Sequence, residues 1–170
     1  MRTVKPSEYT VYKLNELNEA AQQKAIESLY DINISHDWWE YIYEDAKQVG
    51  LAIEAFDLGR GSYCELKFND SAMEVAKKIL NNHGPDCETY KTCLEFVIEV
   101  ATMTEDSQDF EEHGDIEDTY QEKVEDFKKS LSEDYYIIFQ RDFEYLTSQE
   151  SIKETIEAND YDFTIDGELN

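Results

Sequence analysis

The sequence predicts a helix-dominated α+β fold carrying a small antiparallel sheet. Three observations lead there. Apolar residues recur at helical spacing through six segments, whereas only one pair of alternating segments is joined by a tight glycine-bearing turn. The 170 residues are 41% hydrophobic and 13% aromatic, enough for a packed core. With only two prolines and six glycines there is no linker composition, so residues 1–170 read as a single domain.

Ser7 to Lys13 is β-prone and predicts a short strand. Asn18 is a good N-cap for a helix reaching about Tyr30, with Ala21, Ala25, Ile26, Leu29 and Tyr30 on its core face. Asp37 is placed to cap a second helix to Val49, which Gly50 would end in the left-handed conformation. Leu51, Ile53 and Ala55 alternate as a strand, Gly59-Arg60-Gly61 turns the chain, and Ser62 to Phe68 returns as the partner.

Asp70 or Ser71 starts a third helix with Met73, Ala76, Ile79 and Leu80 inward, stopped by Asn81–Pro85. A fourth runs from Cys87 to Met103, with Tyr90, Leu94, Val97, Ile98 and Ala101 as its inner face. A long fifth helix, Glu117 to Leu146, places Tyr120, Val124, Phe127, Leu131, Ile138 and Tyr145 near one stripe. Ser148 caps a last helix to Ala158, and Tyr161 to Ile165 alternates like an edge strand.

Charge dominates the functional reading. The formal net charge is −25. Residues 1–104 hold 18 acids and 10 bases, whereas residues 105–170 hold 22 acids and 5 bases. The densest stretch, residues 105–126, has 11 carboxylates against one lysine, and reads as a loop plus a helix start. Such a chain repels phosphate backbones and anionic bilayers and attracts a basic protein surface or a polycation. Direct binding to nucleic acid or membrane is therefore not expected. No eighteen apolar residues run together, and the N-terminus has no signal-peptide run. Cys64, Cys87 and Cys93 are odd in number and form no CxxC pair, so a disulfide framework is not expected and a reducing cytoplasm is.

Catalytic patterns are missing. His36, His83 and His113 stand apart from one another, and no cysteine has a histidine neighbour in sequence. Asp160-x-Asp162 with Asp166-Gly167 superficially suggests a calcium loop, but the sixth position is Ile165 where glycine is needed. There is no phosphate cradle and no GxSxG. The expectation is a binding protein with no cofactor, no metal and no catalytic residue.

Two local features can anchor a partner. Of the adjacent Trp38 and Trp39, about 100° apart on a helix, one belongs in a core and the other at a boundary. Arg60, on a glycine-flanked turn, either orders that turn by pairing with Asp57 or reaches a partner. The candidate contact set is Glu105, Asp106, Asp109, Glu111, Glu112, Asp115, Glu117 and Asp118, with Arg60 and Trp39 as anchors.

Several of these pieces also carry a resemblance. Tyr12-x-Leu14-x-Glu16-Leu17 with Ala21 and Ala25, Asp37-Trp38-Trp39-Glu40 through Asp45-Ala46, and Phe56-Asp57 with Arg60-Gly61-Ser62-Tyr63-Cys64 belong to the pattern. So do Glu144-Tyr145-Leu146-Thr147-Ser148 and Asn159-x-Tyr161-x-Phe163 with Asp166-Gly167. Together they resemble a family of acidic proteins carried by phages and prophages, some with antitoxin-like labels. The resemblance leaves residues 69–140 unassigned and transfers no catalytic residue. It implies a mobile-element protein that inhibits a host defence nuclease, as in anti-CRISPR or anti-restriction mimicry of nucleic acid. The alternative is an antitoxin or adaptor whose decisive surface is apolar.

Overall fold

Short polar side chains at helix starts decide much of the layout, because each takes up a backbone amide that the first turn leaves without a partner. The computed structural model describes residues 10–106 and 113–170. Their elements are α1 (Glu19–Ser28), α2 (Glu40–Gln48), β1 (Leu51–Asp57), β2 (Tyr63–Phe68), α3 (Ala72–Asn82), α4 (Glu88–Asp106), α5 (His113–Leu146) and α6 (Gln149–Ala158). The fold is helix-dominated α+β, as the sequence predicts. Asn18 accepts from the Ala21 amide, Ser71 from Glu74 and Ser148 from Ser151, capping α1, α3 and α6.

The expected cap at Asp37 does not form. Helix α2 starts at Glu40 after Trp39, which makes no side-chain cap bond. Aromatic burial governs this entry: Trp38 is buried and tilted against Phe143, while Trp39 meets Phe56 edge-on at 5.7 Å. At the other end of α2, Gly50 has φ +87 and a Cβ there would run into the Asp70 carboxylate, so glycine is required twice over.

The residues cluster into two compact units. One comprises the chain up to Trp38 together with Asp142–Asn170; the other is Trp39–Arg141. In the first, α1 packs against α6 through Leu17, Ala21, Ala25, Ile26, Ile152 and Ile156. The expected strands at Ser7–Lys13 and Tyr161–Ile165 reduce, among the described residues, to a bridge in which Tyr12 and Phe163 exchange backbone bonds of 2.9 and 2.8 Å; residues 7–9 lie outside that set. Phe163 also bridges to Leu169.

In the second unit β1 and β2 form the antiparallel hairpin, with an irregularity between Ile53 and Ala55. Behind it, α5 supplies a ridge of Phe127, Leu131, Tyr135 and Phe139, all buried. Phe139 stacks on Phe56 at 4.0 Å and Phe127 on Phe96 at 4.1 Å. This corrects the expected α5 stripe beyond Leu131. Ile138 is only half-buried and Tyr145 is exposed, because the ridge follows i, i+4 steps around the helix.

A second correction concerns α4. Its buried residues are Thr89, Cys93, Phe96 and Val100, whereas of the expected inner face Leu94, Ile98 and Ala101 are exposed, the first two at 42% and 56%, and Tyr90 and Val97 are half-buried. The helix carries two apolar stripes, and stacking of Phe96 on Phe127 selects the one that packs. Smaller departures are Tyr30, which is exposed, and Met73 and Leu80, which are half-buried while Val75 fills the core.

Candidate functional site

The acidic stretch spans the end of one helix and the start of the next. Glu105 and Asp106 close α4, Asp115 falls in the first turn of α5, and Asp109, Glu111 and Glu112 lie outside the described residues. Glu117 and Asp118 follow on α5 and are exposed, as are Glu122, Glu125 and Asp126. Lys123, the one base of this stretch, is held by Glu99 of α4 at 3.0 Å.

The hairpin turn is ordered without Arg60. Asp57 accepts from the amides of Gly59 and Gly61, each at 2.8 Å, so its carboxylate is satisfied by backbone. Arg60 is exposed and makes no ion pair among the described residues, Glu117 and Asp118 included. The pairing with Asp57 is thus replaced by an amide cradle. Trp39 is half-buried on Phe56, so the two anchors share the hairpin, while Glu117 and Asp118 share α5.

Along α4, Tyr90, Leu94 and Ile98 repeat every four residues and line an open apolar groove with Pro85, Glu95 and Glu99. Helical periodicity exposes this surface as readily as it buries one, which is why the sequence could not assign it.

Sequence reasoning missed a cavity of about 380 Å³ in the second unit, within the range of small-ligand pockets. Asp45 of α2, His83 just past α3, Cys87 before α4, and Asp134, Ile138 and Arg141 of α5 line it. A polar chain runs beside it. The buried Tyr135 hydroxyl donates to Asp45 Oδ2 at 3.0 Å, His83 Nε2 lies 3.3 Å from Asp45 Oδ1, and His83 Nδ1 pairs with Thr89 Oγ1 at 2.7 Å. The Nε2 contact is an ion-pair distance without hydrogen-bond alignment.

Asp45 and Asp134, two of the three carboxylates that line the cavity with Glu88, are pushed in opposite directions. The His83 ring holds the Asp45 carboxyl below the ordinary range, against the burial that raises it, and Tyr135 adds to the lowering. Burial pushes Asp134 up, opposed by the Thr92 hydroxyl that donates to its Oδ2 at 2.7 Å, while Glu88 and Glu133 add repulsion. Burial and Asp45 push the Tyr135 hydroxyl well above its usual value.

Asp45, His83 and Thr89 thus form a series in which the buried Thr89 oxygen steadies the imidazole. Burial raises the Cys64 and Cys93 thiols to about 12, which keeps both inert. Cys87 is exposed. Among the described residues, no three His, Cys, Asp or Glu side chains gather as a metal site. No described helix is long and apolar enough to cross a membrane.

No family model, curated protein or solved structure matches this chain.

Proposed function

We propose that the protein is an acidic inhibitor that occupies the basic groove of a nucleic-acid-binding host defence protein, in the manner of an anti-CRISPR or anti-restriction mimic. The observation that carries this reading is the charge density of α5. Five carboxylates stand in Glu117–Asp126, with the single lysine already taken by Glu99. At about 1.5 Å rise per residue the stretch is about 15 Å long, which gives one carboxylate per ~3 Å. A nucleic-acid strand presents one phosphate per ~3.4 Å. A groove built to neutralise phosphates thus meets a comparable field on a preformed helix. The reading places the protein in the cytoplasm of a bacterial host and assigns it no enzymatic role.

The test is capture from nucleic-acid-free host lysate at low salt, followed by competition. A bound effector should be displaced by its own DNA or RNA and by salt. Reversing Glu117, Asp118, Glu122 and Glu125 to Lys should cost at least about tenfold in affinity for that effector, with the fold kept by circular dichroism. Undiminished binding by the folded variant would sink the assignment.

The α4 groove favours a second reading, an antitoxin or adaptor that docks through apolar contacts. In that case the complex survives high salt, ignores nucleic acid, and is lost on changing Leu94 and Ile98 to Ser.

A further inference from the structure

We infer that the cavity lined by α2, α4 and α5 is a binding site for a cationic head group on a short aliphatic stem, an alkylguanidinium or alkylammonium. The inference does not rest on the inhibitor reading; it concerns another part of the molecule and different residues.

Asp134 sits half-buried at the cavity with one oxygen taken by the Thr92 hydroxyl, and no lysine or arginine among the described residues lies within ion-pair distance of it. A carboxylate withdrawn from water and left without a cation has an electrostatic demand that a neutral hydroxyl does not meet. Its raised pKa states the same demand. Asp45 and Glu88 add two more carboxylates to the lining; the contacts of Asp45 are a phenol and an imidazole. His83 Nε2, on the same wall, is buried and has no hydrogen-bond partner. It faces Asp45 Oδ1 at 3.3 Å, and so helps to keep that carboxyl ionised at the cavity wall.

The apolar component lies one turn away. Ile138 follows Asp134 by four residues, so carboxylate and aliphatic side chain are neighbours on one helix face. This spacing suits a charged head followed by methylenes, the shape of a lysine or arginine side chain. Arg141 is seven residues from Asp134, about 10 Å along the helix, so it lines the same cavity without pairing with Asp134 and opposes a bound cation only at that distance. Glu88, which pairs with Lys91 at 2.8 Å, further tempers the Arg141 field.

The experiment titrates the full-length protein with n-butylguanidinium and with its uncharged analogue n-butylurea, reading amide shifts by NMR and heat by calorimetry. The cation should give saturable shifts at Asp45, His83 and Ile138, and bind at least about tenfold more tightly than the urea. Asp134→Asn, which keeps the Thr92 bond, should erase most of that preference. Ile138→Trp should block binding of both ligands, and Arg141→Ala should tighten the cation. A blocked tripeptide centred on arginine distinguishes the two sources of such a group. Binding of the peptide points to a partner's side chain, and its exclusion with retention of n-butylguanidinium points to a small amine or guanidine. Equal affinity for the urea overturns the proposal. So does cation binding that survives in both folded variants, or shifts confined to Glu117–Asp126.

Discussion

Helix α4 carries two apolar stripes of the same period, and they have opposite fates. Cys93, Phe96 and Val100 are buried, while Leu94 and Ile98 are exposed and Tyr90 half-buried. The outward stripe is no less apolar, so hydrophobicity did not choose between them. What chose is the surface across from α4: Phe96 finds a parallel ring in Phe127, and Cys93 approaches the Tyr135 region of α5. The periodicity of a helix says that a face will pack. The complementarity of its neighbour says which.

The comparison can be broken by removing the selecting ring. Phe96→Ala deletes a buried aromatic and its stacked partner contact, and should cost about 3–5 kcal/mol of unfolding free energy. A fall in the urea midpoint at unchanged slope would show it. Next in size is Asp45→Ala, which leaves the fully buried Tyr135 hydroxyl without its acceptor and should cost about 1–3 kcal/mol. Smallest is Ile98→Asn on the outward stripe, within about 0.5 kcal/mol by the same measurement. A loss near that of Phe96→Ala would show that this stripe is covered in solution and that the two are not different after all.

A pH series sharpens the parallel contrast between the pocket carboxylates. The folded-state pKa of Asp45 is lowered, so its contribution is present above the ordinary carboxylate range and is lost as pH falls below about 4. Asp134 is raised, so its ionised form weakens the fold at neutral pH and that weakening fades as acid protonates it. Asp45→Asn should flatten the acid limb of stability against pH, and Asp134→Asn should raise stability at pH 7. Both are read from thermal midpoints.

How much of this was legible follows from the range of each signal. The caps at Asn18, Ser71 and Ser148, the stop at Gly50 and the hairpin across Gly59–Gly61 depend on a few consecutive residues, and the sequence carries them. The start of α2 escaped because Asp37 is a sound local cap that loses to the burial of Trp38. Tyr135 and Phe139 escaped because a four-residue ridge drifts away from a straight 3.6-residue stripe. The cavity was out of reach. Asp45, His83 and Asp134 come from three helices or their ends, and His83 has no neighbour in sequence that marks it. The one available hint is an acid at Asp45 immediately before the buried Ala46, on a helix whose other carboxylates are solvated.

The first unit is assembled from both ends of the chain, whereas the second is one continuous stretch. During synthesis, then, the two cannot mature together. Once Arg141 has left the ribosome every residue of the second unit is available, but Leu17, Ala21, Ala25 and Ile26 are still waiting for Ile152, Ile156 and Phe163. At about 5–20 residues per second the stretch from Ile26 to Ile152 takes roughly ten seconds to make. Throughout that interval α1 is an amphipathic segment with its greasy side unclaimed. The Tyr12–Phe163 bridge and the Lys13 clamp on Asp160 and Asp162 therefore stitch the first unit shut only after α6 has been made.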